Sequence, residues 1–372
     1  MQPRWEVADV LRHTNTGSPA FTVHQQKTLR ALQQCRTAAL GGHMDVCTGC
    51  GVIHISYNSC RNRHCPKCQG HKRREWIRKR EQDLLPCTYY HVVFTLPQEL
   101  NPLALHNPSL VYDALFRAVW QTMHQFGRQQ GIQMGMIAVL HTWGQNLSLH
   151  PHLHCIVPGG GIDQKGRWQK QVRSNKPACR TGRYLFPVKA LSKVFRAKYV
   201  HSLRQNAVTD KELFDSLFSK DWVVYAKKPF GGPGQVIEYL GRYTHKVAIS
   251  NHRIQQVTAT DVIFGYKDYR EGGSNKTMCL SNTEFVRRFA QHILPSRFVR
   301  IRHYGILSSS WKRGKLQALQ SQLNVVVHQM PVKTLLHQCP LCKTGILITI
   351  EVFGKRGPPS YYLRKNPPAP VS

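Results

Sequence analysis

Apolar and polar positions along this chain recur with two different periods, and the changes of period mark its elements. Between Ala20 and Leu40, the positions Phe21, Val23, Leu29, Leu32 and Leu40 recur with few breakers, which predicts a helix. Residues 89–96, Tyr-Tyr-His-Val-Val-Phe-Thr-Leu, are β-branched and aromatic, so they predict a strand that Pro97 ends. Leu110, Val111, Ala114, Leu115, Ala118, Val119 and Met123 then return at three- and four-residue spacing, the stripe of an amphipathic helix. Strands are expected over 136–143 and 149–157, ahead of a turn at Gly159-Gly160-Gly161. A helix over 190–204, a strand over 222–226 and a helix opening at Gly231 and running to about Lys246 follow. Strands over 253–257 and 262–266 close this unit, and a last helix is expected over 283–292. The order strand, helix, paired strands, helix, strand, helix describes an α+β domain with a central antiparallel sheet and flanking helices.

Length and composition divide this pattern into units. At roughly 100 to 200 residues per domain, 372 residues imply two or three, and 41% hydrophobic content is enough for packed cores. The expected division is a helical, cysteine-rich unit over 1–85, an α+β domain over 86–268, a small basic C-terminal region over 269–356, and a proline-rich disordered tail over 357–372. No apolar run approaches the roughly 18 residues of a membrane span, and the first residues do not read as an export signal. A cytoplasmic, soluble protein with no membrane partner is the expectation.

Charge changes the picture most. Lys and Arg number 52 against 19 Asp and Glu, a formal net charge of +33, and such an excess calls for a polyanionic partner. The run His71-Lys-Arg-Arg-Glu-Trp-Ile-Arg-Lys-Arg80 sets six cations against one acid on a helix-compatible stretch, so Lys72, Arg73, Arg74 and Arg78 are candidate phosphate contacts. Arg300 and Arg302, in Arg297-Phe-Val-Arg-Ile-Arg-His-Tyr304, are further candidates. Trp76, Phe298 and Tyr304 lie among these charges, where aromatic rings could stack on bases.

Five of the twelve cysteines, Cys47, Cys50, Cys60, Cys65 and Cys68, fall in one 22-residue window. Paired C-x-x-C turns in a basic chain fit zinc in a reducing compartment better than a disulfide framework. The expected site is Cys47, Cys50, Cys65 and Cys68 around one structural Zn²⁺, with Cys60, His54, His64 and His71 as other candidate ligands. Cys339-Pro-Leu-Cys342 looks like half of a second zinc site, with His337 and His328 nearby and no obvious further ligands downstream.

Catalytic chemistry is expected at His150-Pro-His152-Leu-His154. Alternate residues on a strand share one face at about 6.6 Å spacing, so two neighbouring histidines can converge on a divalent cation while three in a row cannot. A hairpin turning near Asn146 would put His141 opposite His152, which makes His141 the preferred third ligand, with Gln145 and His150 behind it. Tyr239 and Tyr243, four residues apart on a predicted helix, share a face as candidate nucleophiles, and Arg242, His245 and Lys246 make that face suited to phosphate.

In these motifs the chain resembles HUH-endonuclease transposases of the insertion sequence 91 type, the rolling-circle group with two active-site tyrosines. Phe94-Thr-Leu-Pro97 resembles the first strand motif, His152-Leu-His154 the histidine-hydrophobe-histidine motif, and Tyr239 with Tyr243 the tyrosine pair. Tyr243-Thr-His-Lys246 is also similar to the tyrosine-x-x-lysine motif of rolling-circle initiators, and the cysteine cluster resembles the zinc-binding domain that precedes the nuclease in this group. The resemblance implies that His152 and His154 hold Mg²⁺ or Mn²⁺. It also implies that a tyrosine cleaves single-stranded DNA at the ends of a mobile element through a 5′-phosphotyrosine and passes the strand to target DNA. No nucleotide cofactor is expected, since no G-x-x-x-x-G-K-[ST] loop is present. A non-catalytic zinc-dependent DNA-binding regulator would account for the charge and the cysteines but not for the histidines and tyrosines. A replication initiator or relaxase would share the chemistry.

Overall fold

The structure, a computed structural model, describes residues 3–69, 76–77, 80, 82–170, 185–206, 208–226, 235–236, 241, 246–323 and 337–359. Tyr239, Arg242 and Tyr243, the candidate phosphate contacts Lys72, Arg73, Arg74 and Arg78, and all but the first three residues of the proline-rich tail lie outside the described residues.

The chain opens with two helices, α1 (Val7–Arg12) and α2 (Val23–Gln33), followed by strands β1 (Gly42–Cys47) and β2 (Ile53–Tyr57). Thr22 starts α2 with a capping box, accepting from the Gln25 amide while the Gln25 side chain accepts from the Thr22 amide at 2.9 Å. The helix is shorter than the 20–40 stretch expected from the apolar pattern. Arg36 takes a left-handed conformation (φ 58°) and its amide donates to Asn58, which turns the chain away three residues after the last helical turn.

Next come β3 (Tyr89–Thr95), α3 (Asn101–His106), α4 (Pro108–Gln129), and the hairpin β4 (Gly135–Trp143) and β5 (Leu149–Pro158). Pro108 at the first turn of α4, with the Asn107 side chain accepting from the Leu110 amide, fixes where the long helix begins. Gly160, expected in a turn, instead opens β6 (Gly160–Ile162), which pairs with β7 (Trp168–Lys170). Helices α5 (Val188–Gln205) and α6 (Lys211–Phe218) lead to β8 (Val224–Ala226), and a meander of β9 (Ile254–Val257), β10 (Asp261–Asp268) and β11 (Ser274–Ser281) runs into α7 (Asn282–Ala290). Strand β12 (Ile301–Gly305), α8 (Ser309–Lys312), α9 (Lys315–Gln322) and β13 (Leu347–Phe353) complete the described elements.

The central sheet has the order β12-β4-β5-β3-β8, with every neighbouring pair in it antiparallel. Period-two alternation separates its faces. Val92 and Phe94, Met136, Ala138 and Leu140, and Leu153, Cys155 and Val157 point to one side and pack with α4 and α5 into the largest core. Phe94 meets Phe195 edge-on, and Phe195, Tyr199 and Trp222 make further ring contacts beneath β8. The opposite face carries Tyr89, Ile137 and Ile156, which pack against Val236, Ile306, Leu307 and α9. β4 is buried along its whole length because it has strands on both sides and packing on both faces. Gly305 ends β12 at φ 58°, where a Cβ would lie only 1.8 Å from the Met134 carbonyl oxygen, so only glycine lets the strand turn this close to β4.

Strand pairing does not respect the expected boundary at 268/269. Asp268 of β10 pairs with Ser274 of β11, β12 joins the central sheet beside β4, and β13 pairs with β1 to form the sheet β13-β1-β2. Residues expected to form a separate C-terminal region are thus divided among three sheets, because a ladder partner is chosen by edge and register and not by nearness in sequence. A third core joins α1 and α2 to the β9–β11 meander and α7, through Leu11, Leu29 and Cys35 on one side and Ile249, Phe264 and Phe285 on the other. Among the described residues, no helix is long and apolar enough to cross a membrane.

Candidate active site

Three histidines come together on the face of the central sheet opposite the large core. In the β4–β5 ladder His141 is directly opposite His152, and His154 follows two residues later on the same side. The three rings offer nitrogens that all lie within 4.8 Å of one another, and the Nε2 atoms of His152 and His154 are 3.2 Å apart. His141 is 2% exposed and lies against Trp143 at 4.5 Å between ring centroids, while His152 and His154 are partly open. His152 Nδ1 sits 2.7 Å from the His150 carbonyl oxygen, an arrangement in which Nδ1–H donates and Nε2 stays free to ligate. The structure therefore brings His141, His152 and His154 together, and leaves His150 outside the group.

Burial keeps the imidazoles of His152 and His154 neutral. Burial pushes His152 down to about 4, with His150 and Lys246 adding repulsion. Burial first, then His141, His152, His91 and Lys246, hold His154 well below the usual imidazole range. Neutral imidazoles are the ligand form, so His152 and His154 can meet a divalent cation near pH 7 without first losing protons.

A fourth histidine, absent from the sequence-based expectation, supports the third. His91 on β3 is buried, stacks on the His154 ring at 5.1 Å with 14° between planes, and places Nε2 2.9 Å from His154 Nδ1. Its signal was present in the sequence, since His91 lies in the strand 89–96 with the periodicity of a sheet face. The pairing of His91 with Ile156 is what puts it on the histidine side.

Lys246 reaches solvent where two clefts meet, one of about 880 Å³ and one of about 550 Å³, which share Gln145, Lys246, His252 and Arg253. Crowding by surrounding protein, and then Arg253, lowers its ammonium below the usual lysine range. Arg36 and Lys67 add charge to the first cleft, and Lys267 and Lys276 to the second. Val236, before the tyrosine pair in sequence, packs on the histidine side of the sheet, and Lys246, after it, repels His152 and His154.

Two other expected contacts have partners within the protein. Arg300 is 8% exposed and donates to the Lys246 carbonyl oxygen at 3.2 Å. Arg302 bonds to Asp113 and lies over the Phe116 ring at 4.1 Å. Arg300 is buried just ahead of β12, whereas Arg302 on β12 keeps a partly exposed side chain in its ion pair with Asp113. Of the aromatic candidates, Phe298 is buried in the main core, Tyr304 stacks on Trp120 at 5.0 Å, and Trp76 is partly buried against the cluster of Tyr89, Ile137 and Ile156 on the sheet's opposite face.

The cysteines divide differently from the expected quartet. Cys65 and Cys68 join Cys35 and Cys60, with Sγ of Cys68 3.5 Å from Cys35 and 3.6 Å from Cys60. Cys47 and Cys50 lie instead beside Cys339 and Cys342. The single site Cys47–Cys50–Cys65–Cys68 is thus replaced by two groups, since the loop after β2 carries Cys60 back to the end of α2, where Cys35 waits in the core. Hydrogen bonds from Cys35, Cys60 and Cys65 pull the Cys68 thiol far below its usual range, and four converging thiols, three of them buried, fit a closed structural zinc.

Comparison with known proteins decides the family. Residues 8–96 match the transposase zinc-binding domain of the insertion sequence 91 type, and residues 135–315 match the family described as "Putative transposase". The protein described as "Putative transposase y4qJ" from Sinorhizobium fredii is 41% identical over 95% of this chain and 97% of its own length. The chain belongs to the insertion sequence 91 family of transposases. The transposase of insertion sequence element IS801 from Pseudomonas savastanoi pv. phaseolicola is 30% identical over 76% of this chain and 70% of that protein. Among solved structures, the conjugative relaxase TrwC in a metal-bound complex with OriT DNA aligns with 64% of this transposase and 73% of that chain, at 12% identity and a TM-score of 0.25, too low to carry an argument.

Proposed function

We propose that this transposase cleaves and rejoins single-stranded DNA at the ends of a mobile element through a 5′-phosphotyrosine, using Tyr239 and Tyr243 as nucleophiles. The observation that carries the reading is the convergence of His141, His152 and His154 on one sheet face, with Lys246 at its edge three residues after Tyr243. Mg²⁺ or Mn²⁺ held by these histidines would supply Lewis-acid polarisation of the scissile phosphate. One tyrosine oxygen forms the new bond to phosphorus, and the 3′-oxygen leaves and takes up a proton. The bond energy of the phosphodiester is kept in the phosphotyrosine, so attack by a 3′-hydroxyl rejoins the strand with no nucleotide consumed. A second tyrosine lets a second strand be cut while the first remains attached. Lys246 adds a cation for the non-bridging oxygens, and the basic clefts on either side of it give the strand a path.

The test is a denaturing gel. Wild-type protein with single-stranded DNA carrying its element's end and Mn²⁺ or Mg²⁺ should yield a detergent-resistant covalent adduct. His152→Ala/His154→Ala should lose the adduct and retain salt-sensitive DNA binding, and Tyr239→Phe/Tyr243→Phe should form none. Adduct formation by the double-Phe protein would remove the tyrosines from the mechanism.

A further inference from the structure

The half-site Cys339-Pro-Leu-Cys342 has found its other half 289 residues upstream. Sγ of Cys47 lies 3.6 Å from Cys342 and Sγ of Cys50 lies 3.8 Å from Cys339, and all four sulfurs are within 4.8 Å of one another. Sulfurs about 2.3 Å from a tetrahedral zinc would be spaced at roughly 3.8 Å.

The two turns that deliver them are built alike. In one, the Gly51 amide donates to the Cys47 carbonyl at 3.0 Å and Gly51 is left-handed (φ 72°). In the other, the Lys343 amide donates to the Cys339 carbonyl at 3.0 Å and Lys343 is left-handed (φ 60°). Each turn aims amides at a sulfur, with Gly49 N–H 3.3 Å and Cys50 N–H 3.5 Å from Cys47 Sγ, and Gly345 N–H 3.3 Å from Cys342 Sγ. Amides directed at sulfur stabilise the thiolate, the form a metal requires. The turns also clasp each other, since Thr48 N–H donates to the Ile346 carbonyl at 2.9 Å and Ile346 N–H donates to Thr48 Oγ1 at 3.0 Å. A Cβ on Gly345 would lie 2.4 Å from Cys47 Sγ and 2.7 Å from the Gly49 nitrogen, so the approach requires glycine there.

We propose that Cys47, Cys50, Cys339 and Cys342 bind a second structural zinc ion, which fastens β13 onto β1 and so joins the C-terminal segment to the zinc-binding unit. Four soft sulfur donors leave no open position, which suits zinc in a structural and not a catalytic role. Packing gives β13 little other support. Ile348, Ile350 and Val352 are 52%, 51% and 75% exposed, and Phe353 is its one buried residue, so the strand lacks the apolar burial that usually holds an edge. The matched zinc-binding domain, residues 8–96, contains only half of these ligands.

The experiment is metal quantification on the full chain, paired with hydrogen exchange read by mass spectrometry. Wild type should carry two Zn²⁺ per chain and Cys339→Ser/Cys342→Ser one, with faster exchange in 347–353 and 42–47 and unchanged protection in 135–158. Gly345→Ala keeps all four sulfurs, and it should lose one Zn²⁺ to a chelator at least tenfold faster than wild type. One zinc in wild type, two in the double-Ser protein, or wild-type chelator kinetics in Gly345→Ala would each overturn the proposal. None of these readings depends on DNA cleavage, so they stand apart from the tyrosine mechanism.

Discussion

Replacing His91 by Phe isolates one hydrogen bond of the histidine site. Phe preserves the ring that stacks on His154 and roughly fills the same buried space, while the 2.9 Å contact to His154 Nδ1 disappears. With a cation at His154 Nε2, Nδ1–H must donate, and in wild type His91 Nε2 accepts. In the variant that N–H is left without this acceptor in a crowded site, at a cost of about 1–3 kcal/mol. The metal-free ring can escape part of this cost by tilting or changing tautomer, but the metal-bound ring cannot. The penalty therefore falls on binding, and Mn²⁺ affinity should weaken about 10- to 100-fold, or roughly 1.4–2.7 kcal/mol. Isothermal titration of the full chain with Mn²⁺ measures it directly, with the thermal midpoint as a control for folding. His91→Gln, which restores an acceptor without the ring, should recover part of the loss. If His91→Phe binds Mn²⁺ within twofold of wild type, His91 does not position His154.

Three further outcomes can be measured. His292 is buried between Thr142 and the Leu147 carbonyl, and burial pushes it down to about 4, whereas an unfolded histidine titrates near 6.5. The unfolded chain binds that proton first, so the contribution is fully present above about pH 6.5 and is lost as pH falls toward 4. It reaches about 3 kcal/mol, and the melting temperature of His292→Asn should depend less on pH over this window than that of wild type. Gly305→Ala, forced to φ 58° and against the Met134 carbonyl, should cost about 2 kcal/mol or more in urea unfolding, and a smaller loss would mean that β12 shifts easily. Single-stranded DNA binding should weaken steeply with salt, at a log–log slope near −0.7 per phosphate contact. Arg302→Ala, which removes a guanidinium bonded to Asp113 and stacked on Phe116, should leave that slope unchanged while lowering stability, and a slope reduced by one contact would return Arg302 to the DNA interface.

Local pattern made much of this legible. The strands at 89–96, 136–143 and 149–157 and the helix beginning near Leu110 follow from side-chain periodicity, and a hairpin turning near Asn146 was enough to set His141 opposite His152. What escaped was long-range pairing. A C-x-x-C turn states that two thiols share a metal and says nothing about which other pair completes it, so Cys47 and Cys50 were matched to the nearest pair in sequence. Cys35 was hidden inside an apolar pattern that read as continuous helix. The partners that Arg300 and Arg302 find within the protein are likewise not legible in sequence, since the Lys246 carbonyl and Asp113 lie far away along the chain.

The pairing of β13 with β1, and of β12 with β4, also sets an order of assembly during synthesis. A ribosome adding about 5–20 residues per second delivers β1 roughly 15–60 s before β13, and until then one side of β1 has no strand beside it. The outer side of β4 waits in the same way for residues 301–305. Chains released before residue 301 would carry both open edges, and chains released between 306 and 338 would carry one, together with a cysteine pair lacking its partners. Unpaired edges invite association between chains. Premature termination should therefore give aggregating or degraded fragments and not a free, partly active transposase, so pairing of β13 with β1 acts as a check on the finished product.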